Sequence, residues 1–344
     1  MAAIVRPARS SDLPRLEAMI EHVDPGMLTM PSTRAAMKER IERSVTAFAR
    51  PSAPPQNECY FLVLEEGEDL LGTASIFTNL GAERPFYSYR ISRDSKVSPE
   101  HNVKVELDLL QLVNDHHGDT ELGTLFLEPR ARGGGRGKLL SFARLMLIAA
   151  DPVRFGPKVM AEIRGWTDPE GRSPFWEAVG AKFFRMDYRR ADTLSARENR
   201  FIADLMPRYP IYADLLPEEA RRVIARPHPG AEPALALLKS QGFHYNNVVD
   251  IFDAGPCVEV FTDQIDVVRS AKRISAAEFA AGGALTGGLV AAADLDRFVV
   301  TQAAPGEARA DILGRLGASG ADPVLDYPMT DGRAKDGQKK DRKQ

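Results

Sequence analysis

The sequence predicts an α/β fold, with some α+β character, in which a mixed β-sheet carries helices on both faces. Two observations predict it. Apolar runs at residues 60–65 and 70–77 flank the polar residues 66–69, which is typical of a β-hairpin whose strands are covered on both sides. An apolar strand at residues 121–127 leads through a glycine-rich turn and a helix to another strand at residues 159–163. Strand, helix and strand in this order indicate a parallel pair in the same sheet.

The segments around the hairpin are predicted in turn. Residues 4–8 form a short strand, and residues 10–12 (Ser-Ser-Asp) can cap a helix whose apolar side chains share one face over residues 13–20. Residues 51–58 are rich in proline and polar side chains and should be a loop. Residues 78–120 are predicted to be a long irregular insertion, because they show no clear strand or helix pattern yet are too aromatic for disorder.

The second half of the chain gives weaker signals. Ser173 and Pro174 favour the start of a helix that Gly180 can end. Residues 233–243 show another helix followed by glycine and a strand. Beyond residue 262 the pattern weakens into segments rich in alanine and glycine, with short strands among them.

The turn within residues 124–138 (Thr-Leu-Phe-Leu-Glu-Pro-Arg-Ala-Arg-Gly-Gly-Gly-Arg-Gly-Lys) has the composition of a phosphate-binding loop. Glycines let backbone N–H groups approach an anion, and a helix starting near Lys138 directs its positive dipole end at the same place. The glycines are Gly133, Gly134, Gly135 and Gly137, and the cationic side chains are Arg132, Arg136 and Lys138. A flexible turn without a ligand is the alternative interpretation.

Two other kinds of glycine loop do not fit. A nucleoside-triphosphate loop requires Ser or Thr after the lysine, whereas Leu139 follows Lys138. A dinucleotide loop should open the first strand–helix unit, whereas this turn lies in mid-chain. What remains is the pattern Arg-x-x-Gly-x-Gly, formed by Arg132, Gly135 and Gly137.

Composition excludes several classes of protein. The 344 residues are 44% hydrophobic and 27% charged, with a formal net charge of -3, which gives no field to gather nucleic acid or an anionic membrane. Cys59 and Cys257 match no metal or redox spacing and fit a reducing compartment. No apolar run is long enough to span a bilayer, and the histidines show no metal-ligand spacing. We therefore expect a cytoplasmic protein without a metal.

The Arg-x-x-Gly-x-Gly pattern resembles the pyrophosphate loop of acyl-CoA N-acyltransferases of the GNAT superfamily. Over residues 4–269 the chain resembles one family of that kind, the arginine N-succinyltransferases. The segments that carry the likeness are 114–116 (Asn-Asp-His), 121–127 (Glu-Leu-Gly-Thr-Leu-Phe-Leu), 171–177 (Gly-Arg-Ser-Pro-Phe-Trp-Glu), 183–187 (Phe-Phe-Arg-Met-Asp), 201–207 (Phe-Ile-Ala-Asp-Leu-Met-Pro), 228–229 (His-Pro) and 249–256 (Val-Asp-Ile-Phe-Asp-Ala-Gly-Pro).

The resemblance implies transfer of the succinyl group of succinyl-CoA to the α-amine of L-arginine, in arginine catabolism, with no tightly bound cofactor. It implies that Leu125 contacts succinyl-CoA and that His228 is the proton donor. The chain departs from the family at Gly123, where Cys is usual, and at His117, where Thr is usual. In addition, residues 27–33 (Met-Leu-Thr-Met-Pro-Ser-Thr) replace a more regular Leu-Thr-x-Leu-Pro-Ala segment. The alternatives are acylation of another amine such as ornithine, or a non-catalytic acyl-CoA-binding subunit paired with a homologous chain. A homo-oligomer or a hetero-oligomer is compatible with either.

The chemistry needs a base, because an α-amino group with a pKa near 8 is largely charged at neutral pH. Glu121 is a candidate base because it opens the strand leading into the phosphate turn, although a surface glutamate would occupy the same position. His228 lies between two prolines that restrict the loop around it, which suits a positioned acid. Residues 114–116 (Asn114, Asp115 and His116) are candidates for the substrate pocket, since they precede the catalytic strand.

The chain is predicted to divide into four parts. They are a GNAT-like acyl-CoA-binding core at residues 1–190, a second α/β segment carrying His228 at residues 191–262, a small C-terminal extension at residues 263–330 and a disordered tail at residues 331–344.

Overall fold

The computed structural model describes residues 2–20, 30–188, 190–191, 200–207 and 209–329. The predicted disordered tail at residues 331–344 lies outside these described residues.

The described residues form one large β-sheet flanked by helices. The strands are β1 Ile4–Pro7, β2 Cys59–Glu66, β3 Asp69–Phe77, β4 Ser88–Ser98, β5 Val103–Val113, β6 Thr120–Leu127, β7 Lys158–Glu162, β8 Ile211–Tyr212, β9 His244–Val249, β10 Pro256–Phe261, β11 Lys272–Ser275, β12 Gly288–Ala292, β13 Val299–Ala303 and β14 Pro323–Pro328. The helices are α1 Leu13–Ile20, α2 Arg34–Ala49, α3 Arg136–Ala150, α4 Pro174–Ala178, α5 Gly180–Phe184, α6 Arg200–Leu205, α7 Glu218–Arg221, α8 Glu232–Ser240, α9 Asp266–Ser270, α10 Ala276–Ala280 and α11 Arg309–Leu316.

The sheet is mixed, as predicted. Its strand order is β11-β14-β12-β13-β1-β2-β3-β6-β7-β10-β9-β4-β5-β8. Neighbours in this order run antiparallel wherever their pairing is described, except for β6 and β7, which are parallel. The strand–turn–helix–strand signal read from the sequence is this parallel pair with α3 between its strands.

The predicted hairpin is confirmed and forms the centre of the core. Strands β2 and β3 pair from Cys59 and Phe77 to Glu66 and Asp69. Alternate residues of β2 point to opposite faces: Leu62 packs into the cluster that contains the buried side chains of α3, and Phe61 packs against α1 and α2. Helices therefore cover both faces, which explains why these strands are almost continuously apolar.

The prediction of an irregular insertion at residues 78–120 is wrong. These residues contain β4 and β5, which pair with each other along eleven positions and attach to β9 and β8 on their outer edges. The far end of this hairpin has no buried face, since Val97, Val103 and Val105 are all exposed there. Without a buried face the usual alternation of apolar and polar residues is weak, so the sequence carries no clear strand pattern there.

The C-terminal strands extend the sheet beyond β1. Strand β13 pairs with β1, and β12, β14 and β11 follow outward. Helices α10 and α11 cover them through a small apolar cluster that includes Phe279 and Ile312. One sheet thus crosses the predicted boundary at residues 262–263, and the division into four parts stays a prediction. None of the helices in the described ranges is both long and apolar enough to cross a bilayer.

A tight turn between β9 and β10 anchors the segment after β7. The Asp253 carboxylate accepts hydrogen bonds from the N–H groups of Gly165 and Gly255, each at 2.7 Å. Gly165 in turn forms a bridge with Pro227. Burial, together with the neighbouring Asp253, raises the pKa of Asp250 well above its ordinary value, so this pair of carboxyl groups retains a proton at neutral pH.

Replacing Gly255 by Ala should destabilise the protein, because its Cβ would lie 2.1 Å from the Ile163 carbonyl oxygen and 2.6 Å from the Gly165 nitrogen. Both neighbours are backbone atoms, so the strands must shift. We expect a loss of about 1–3 kcal/mol in the free energy of unfolding, measured by urea denaturation. Gly283→Ala is the control, since its Cβ meets nothing within 4 Å. Equal stability of the two variants would contradict this description of the turn.

Candidate active site

The parallel strands β6 and β7 separate soon after they begin. Their pairing consists of Thr120 with Val159 and Glu121 with Met160. Thr120 also secures this end, because its Oγ1 accepts the N–H of Gly156 at 2.8 Å. The strands then continue toward their carboxyl ends without further pairing to each other among the described residues. The gap leaves the edge of β6 available to a ligand, whereas the segment after β7 already pairs with residues 226–228. In sheets of this kind ligands bind at the carboxyl ends of strands.

A β-bulge distorts β6 beside this gap. Thr73 of β3 pairs with Phe126, but Ser75 pairs with Gly123, so β6 contains one residue more than β3 between these pairs. Thr124 has a φ of 48°, a left-handed conformation that is unusual for a β-branched residue. The bulge removes the backbone around Leu125 from the regular ladder, and such bulges often aim backbone groups at active sites.

The glycine-rich turn has the backbone shape expected of a phosphate loop. Gly133, Gly134 and Gly135 have φ values of 99°, 59° and 78°, which side chains would disfavour. Helix α3 begins at Arg136, two residues before the predicted start near Lys138. Its N-cap, Gly135, has no side chain to cap the helix, so N–H groups of the first turn are presented to the loop.

The three predicted cations of the turn differ in their surroundings. Arg136 forms an ion pair with Glu66 at the end of β2, with Nε 2.8 Å and Nη2 2.7 Å from the same carboxylate oxygen. Lys138 lies over the ring of Phe142, and Arg132 is exposed. The Glu66 carboxylate offsets the charge of Arg136. Of the three cations, Arg132 and Lys138 are therefore better suited to bind a phosphate. Gly137 lies between Arg136 and Lys138 at the start of the helix.

Glu121 is buried at the closed end of the gap. Its side chain is on the same face of the sheet as Met160 of β7 and Glu259 of β10, as the pairing of the three strands requires. Only 8% of Glu121 is exposed. Burial raises its pKa to about 7, against the opposing effects of Arg40 and His116. A carboxylate with this pKa can accept a proton near neutral pH.

His116 lies between acidic groups on this face. Its Nδ1 is 3.1 Å from Asp119 Oδ2 and 3.9 Å from Glu259 Oε2, and the residue is 1% exposed. Two carboxylates on the Nδ1 side indicate that Nδ1 carries the proton in the neutral imidazole. Its Nε2 is buried without a hydrogen-bond partner in the described part of the chain.

Asn114 and Asp115 contact the beginning of the β4–β5 hairpin and not the acidic groups around His116. The Asn114 Oδ1 accepts the N–H of Phe86 at 3.1 Å, and Asp115 forms an ion pair with Arg90, with Nε at 2.7 Å. Of the three residues predicted for the substrate pocket, His116 is therefore the one whose charge acts on Glu121. A substrate-binding role for Asn114 and Asp115 stays a prediction.

His228 is positioned by backbone contacts on the β7 side of the gap. Its N–H donates to the Arg164 carbonyl at 2.8 Å. Arg164 and Leu125 each lie four residues beyond the last pair of their strands, so His228 and the bulge flank the gap at similar depth. The His228 Nδ1 accepts the N–H of Gly230 at 3.0 Å. In the neutral imidazole Nε2 therefore carries the proton.

Arg144 was not predicted from the sequence, yet it supports the bulge from the opposite face. It is 2% exposed, and its Nη1 lies 3.4 Å from the Gly123 carbonyl oxygen. Burial lowers its pKa to about 10, which leaves it charged at neutral pH. The available signal was its place four residues after Leu140 and four before Ile148, on the apolar face of α3. Among the described residues no group of His, Cys, Asp and Glu side chains could hold a metal ion.

Replacing Glu121 by Gln should stabilise the protein at alkaline pH. The pKa of Glu121 rises from 4.5 to about 7 on folding, so stability is lost as the pH rises through this range and the buried carboxyl ionises. Gln cannot ionise, and the variant should gain about 3 kcal/mol at pH 8 and almost nothing near pH 4.5. Urea denaturation at both pH values measures this. The exposed Glu100→Gln is the control, and a pH-independent gain for Glu121→Gln would contradict the assignment.

Known proteins resemble this chain in sequence over most of its length. The family model described as arginine N-succinyltransferase beta subunit matches residues 3–267. The arginine N-succinyltransferase subunit beta of Pseudomonas aeruginosa is 41% identical over 272 residues, which cover 79% of this chain and 80% of the relative. An arginine N-succinyltransferase of Escherichia coli is 40% identical over 278 residues, covering 80% of each chain.

A solved structure is similar over nearly the whole fold. It is the arginine/ornithine succinyltransferase subunit AI from Pseudomonas aeruginosa, with a TM-score of 0.84 and 27% identity, and the match covers 96% of this chain and 99% of that one. The likeness therefore includes the C-terminal strands, where no sequence resemblance was recognised. The chain belongs to the arginine N-succinyltransferase family and shares the fold of the solved succinyltransferase subunit.

Proposed function

We propose that the protein transfers the succinyl group of succinyl-CoA to the α-amine of L-arginine and releases N2-succinyl-L-arginine and CoA. The observation that carries the proposal is the gap between β6 and β7, with the bulge at Leu125 on one side, His228 on the other and Glu121 at its closed end. The groups to which we assign the acyl transfer thus lie along one opening. Family membership supports both substrates.

CoA binds from the phosphate loop inward. The diphosphate accepts hydrogen bonds from the backbone of Gly133 to Gly137 and is neutralised by Arg132 and Lys138. The extended pantetheine arm then pairs with the open edge of β6, as an added strand would. This places the thioester at the bulge, where the Leu125 N–H stabilises the oxyanion that forms on the carbonyl oxygen.

The transfer is a direct attack without an acyl-enzyme. Glu121 takes one proton from the substrate ammonium, and the neutral amine attacks the thioester carbon. A C–N bond forms and the C–S bond breaks, while His228 in its imidazolium form protonates the departing sulfur through Nε2–H. The remaining excess proton on nitrogen restores the imidazolium, and Glu121 later returns its proton to solvent. Cys59 and Cys257 are both buried thiols whose pKa values burial raises, which disfavours either as a nucleophile.

His116 acts as a support for Glu121 in this scheme. Its Nδ1 proton points to Asp119, and its Nε2 lone pair is open within the buried cluster. When His116 is protonated its charge favours the ionised form of Glu121, which opposes the effect of burial. Asp119 fixes the ring orientation that makes this possible.

Two alternatives retain support. The solved relative is called an arginine/ornithine succinyltransferase, so ornithine is the second candidate acceptor. The names of two Pseudomonas relatives also describe subunits, which supports an oligomer, either of this chain alone or with a homologous chain. In a hetero-oligomer with a homologous chain, this chain could be a non-catalytic subunit that binds acyl-CoA. We further propose a cytoplasmic location, in keeping with two free, buried cysteines.

Thiol release from a panel of acyl-CoA donors and amines tests the function. We expect arginine-dependent release of CoA from succinyl-CoA, slower release with ornithine, and little release from acetyl-CoA. Mass spectrometry of the product should locate the succinyl group on the α-nitrogen. Absence of arginine-dependent release from succinyl-CoA by the full-length protein would contradict the proposal.

Replacing His228 by Ala should lower kcat by about 100- to 10,000-fold, because the departing thiolate loses its acid. CoA affinity, measured by calorimetry, should be nearly unchanged, since the phosphate loop is untouched. His244→Ala is a matched control on the exposed face of β9. If the isolated chain turns over and His228→Ala retains full activity, the role of His228 is wrong.

A further inference from the structure

A cation that the proposed acyl transfer does not use lies beside the bulge. Arg40 is on α2 and borders the buried stripe formed by Met37, Ile41 and Ser44, which packs α2 onto the sheet. Arg40 itself is half-buried at the edge of this stripe. We propose that Arg40 binds a carboxylate of one of the two substrates at the reacting centre. This inference rests on the proposed succinyl transfer and identifies a residue that selects its substrates.

Two contacts hold the guanidinium at the bulge. Its central carbon lies 4.9 Å from the centroid of the Phe77 ring, and Nη1 is 3.5 Å from Thr124 Oγ1. Thr124 is the residue with left-handed backbone, immediately before Leu125. The charge therefore lies within one residue of the N–H proposed to stabilise the thioester oxyanion.

The position of Phe77 depends on Gly123. A Cβ on Gly123 would lie 2.7 Å from Phe77 Cε2, so a side chain at this position would displace the ring. The ring also lies across from Glu121, its partner in the β3–β6 pairing. Gly123 thus leaves the space that the Phe77 ring occupies beneath the Arg40 guanidinium.

The chemistry of this cation suits a carboxylate. A guanidinium stacked on an aromatic ring uses its face for the ring, while its N–H donors lie in the plane and can meet two carboxylate oxygens at once. Arg40 also lowers the pKa of Glu121, so it is close enough to the proposed base to act on it. Phosphate is a less suitable ligand here, because the phosphate loop lies beyond the far end of β6.

Both substrates carry a carboxylate near the atoms that react. The succinyl group ends in a carboxylate two methylene groups from the thioester carbonyl, and L-arginine has its α-carboxylate on the carbon that bears the attacking amine. With the carbonyl at Leu125, either group comes within reach of Arg40. The two candidate ligands share a carboxylate close to the new C–N bond. Substrate analogues that lack either the succinyl carboxylate or the α-carboxylate of arginine distinguish between them.

The test measures two specificity ratios in wild type and in Arg40→Met. With arginine as acceptor, the ratio of kcat/KM for succinyl-CoA to that for butyryl-CoA reports on the succinyl carboxylate. With succinyl-CoA as donor, the ratio for L-arginine to L-argininamide reports on the α-carboxylate. We expect one ratio to fall by about 10- to 100-fold in the variant, as loss of a charged hydrogen bond predicts, while CoA affinity measured by calorimetry is retained.

Control variants separate this role from a structural one. Arg43→Met makes the same change two positions after Ile41, where the guanidinium contacts Asn57 at the surface, and should change neither ratio. Arg40→Lys keeps the charge without the planar fork and should give an intermediate fall in the same ratio, which also serves if the Met variant folds poorly. If the Arg40 variants are active and both specificity ratios equal those of the wild type, the inference is overturned. A wild-type protein without arginine-dependent release would overturn the proposed function, and this inference with it.

Discussion

The separation of β6 from β7 is the constraint on which the rest of the site depends. Both strands are fixed where they begin, because Thr120 and Glu121 pair with β7 and Thr120 also accepts the N–H of Gly156. They are held apart at their carboxyl ends by their other neighbours, β3 and β10, with which they pair antiparallel. A ligand in extended conformation can form hydrogen bonds with the backbone of the strand edge that this geometry leaves open. The bulge in β6 then lies on one side of the gap, and the loop that carries His228 lies on the other.

Buried charge is concentrated around this opening. Glu121 and His116 lie on one face of the sheet and Arg144 on the other, and each is almost completely buried. Burying an ionisable group is costly unless partners compensate it, so such residues are poor choices for stability alone. Under the proposed mechanism, their common location creates a local field in which Glu121 is poised as a base near neutral pH and the thioester carbonyl is polarised.

The sequence predicts those parts of the fold that depend on neighbouring residues. The β2–β3 hairpin, the glycine turn and the start of α4 at Pro174, capped by Ser173, all follow from local patterns and are present. Helix α4 ends at Ala178 and a second short helix begins at Gly180, so the expected glycine stop became a break between two helices. The family resemblance adds His228 and Leu125, which no local pattern would have selected.

The parts that were missed depend on contacts between distant segments. Arg40 and Thr124 are 84 positions apart, and Asp253 meets Gly165 across 88. Nothing in the sequence near Arg40 distinguishes it from Arg43, because only the packing of α2 decides which of them faces Phe77. Likewise the β4–β5 hairpin is stabilised by β9 and β8, which come much later in the chain, rather than by its own apolar pattern.

Amide hydrogen exchange with and without CoA tests the central claim most directly, because it reports on single backbone N–H groups in the intact protein. If the gap between β6 and β7 receives the coenzyme, binding should slow exchange in residues 122–127 and 133–138 and leave the β4–β5 hairpin and the β11–β14 strands unchanged. CoA binding with no protection at the bulge and the glycine loop, or with protection confined to other strands, would contradict the account.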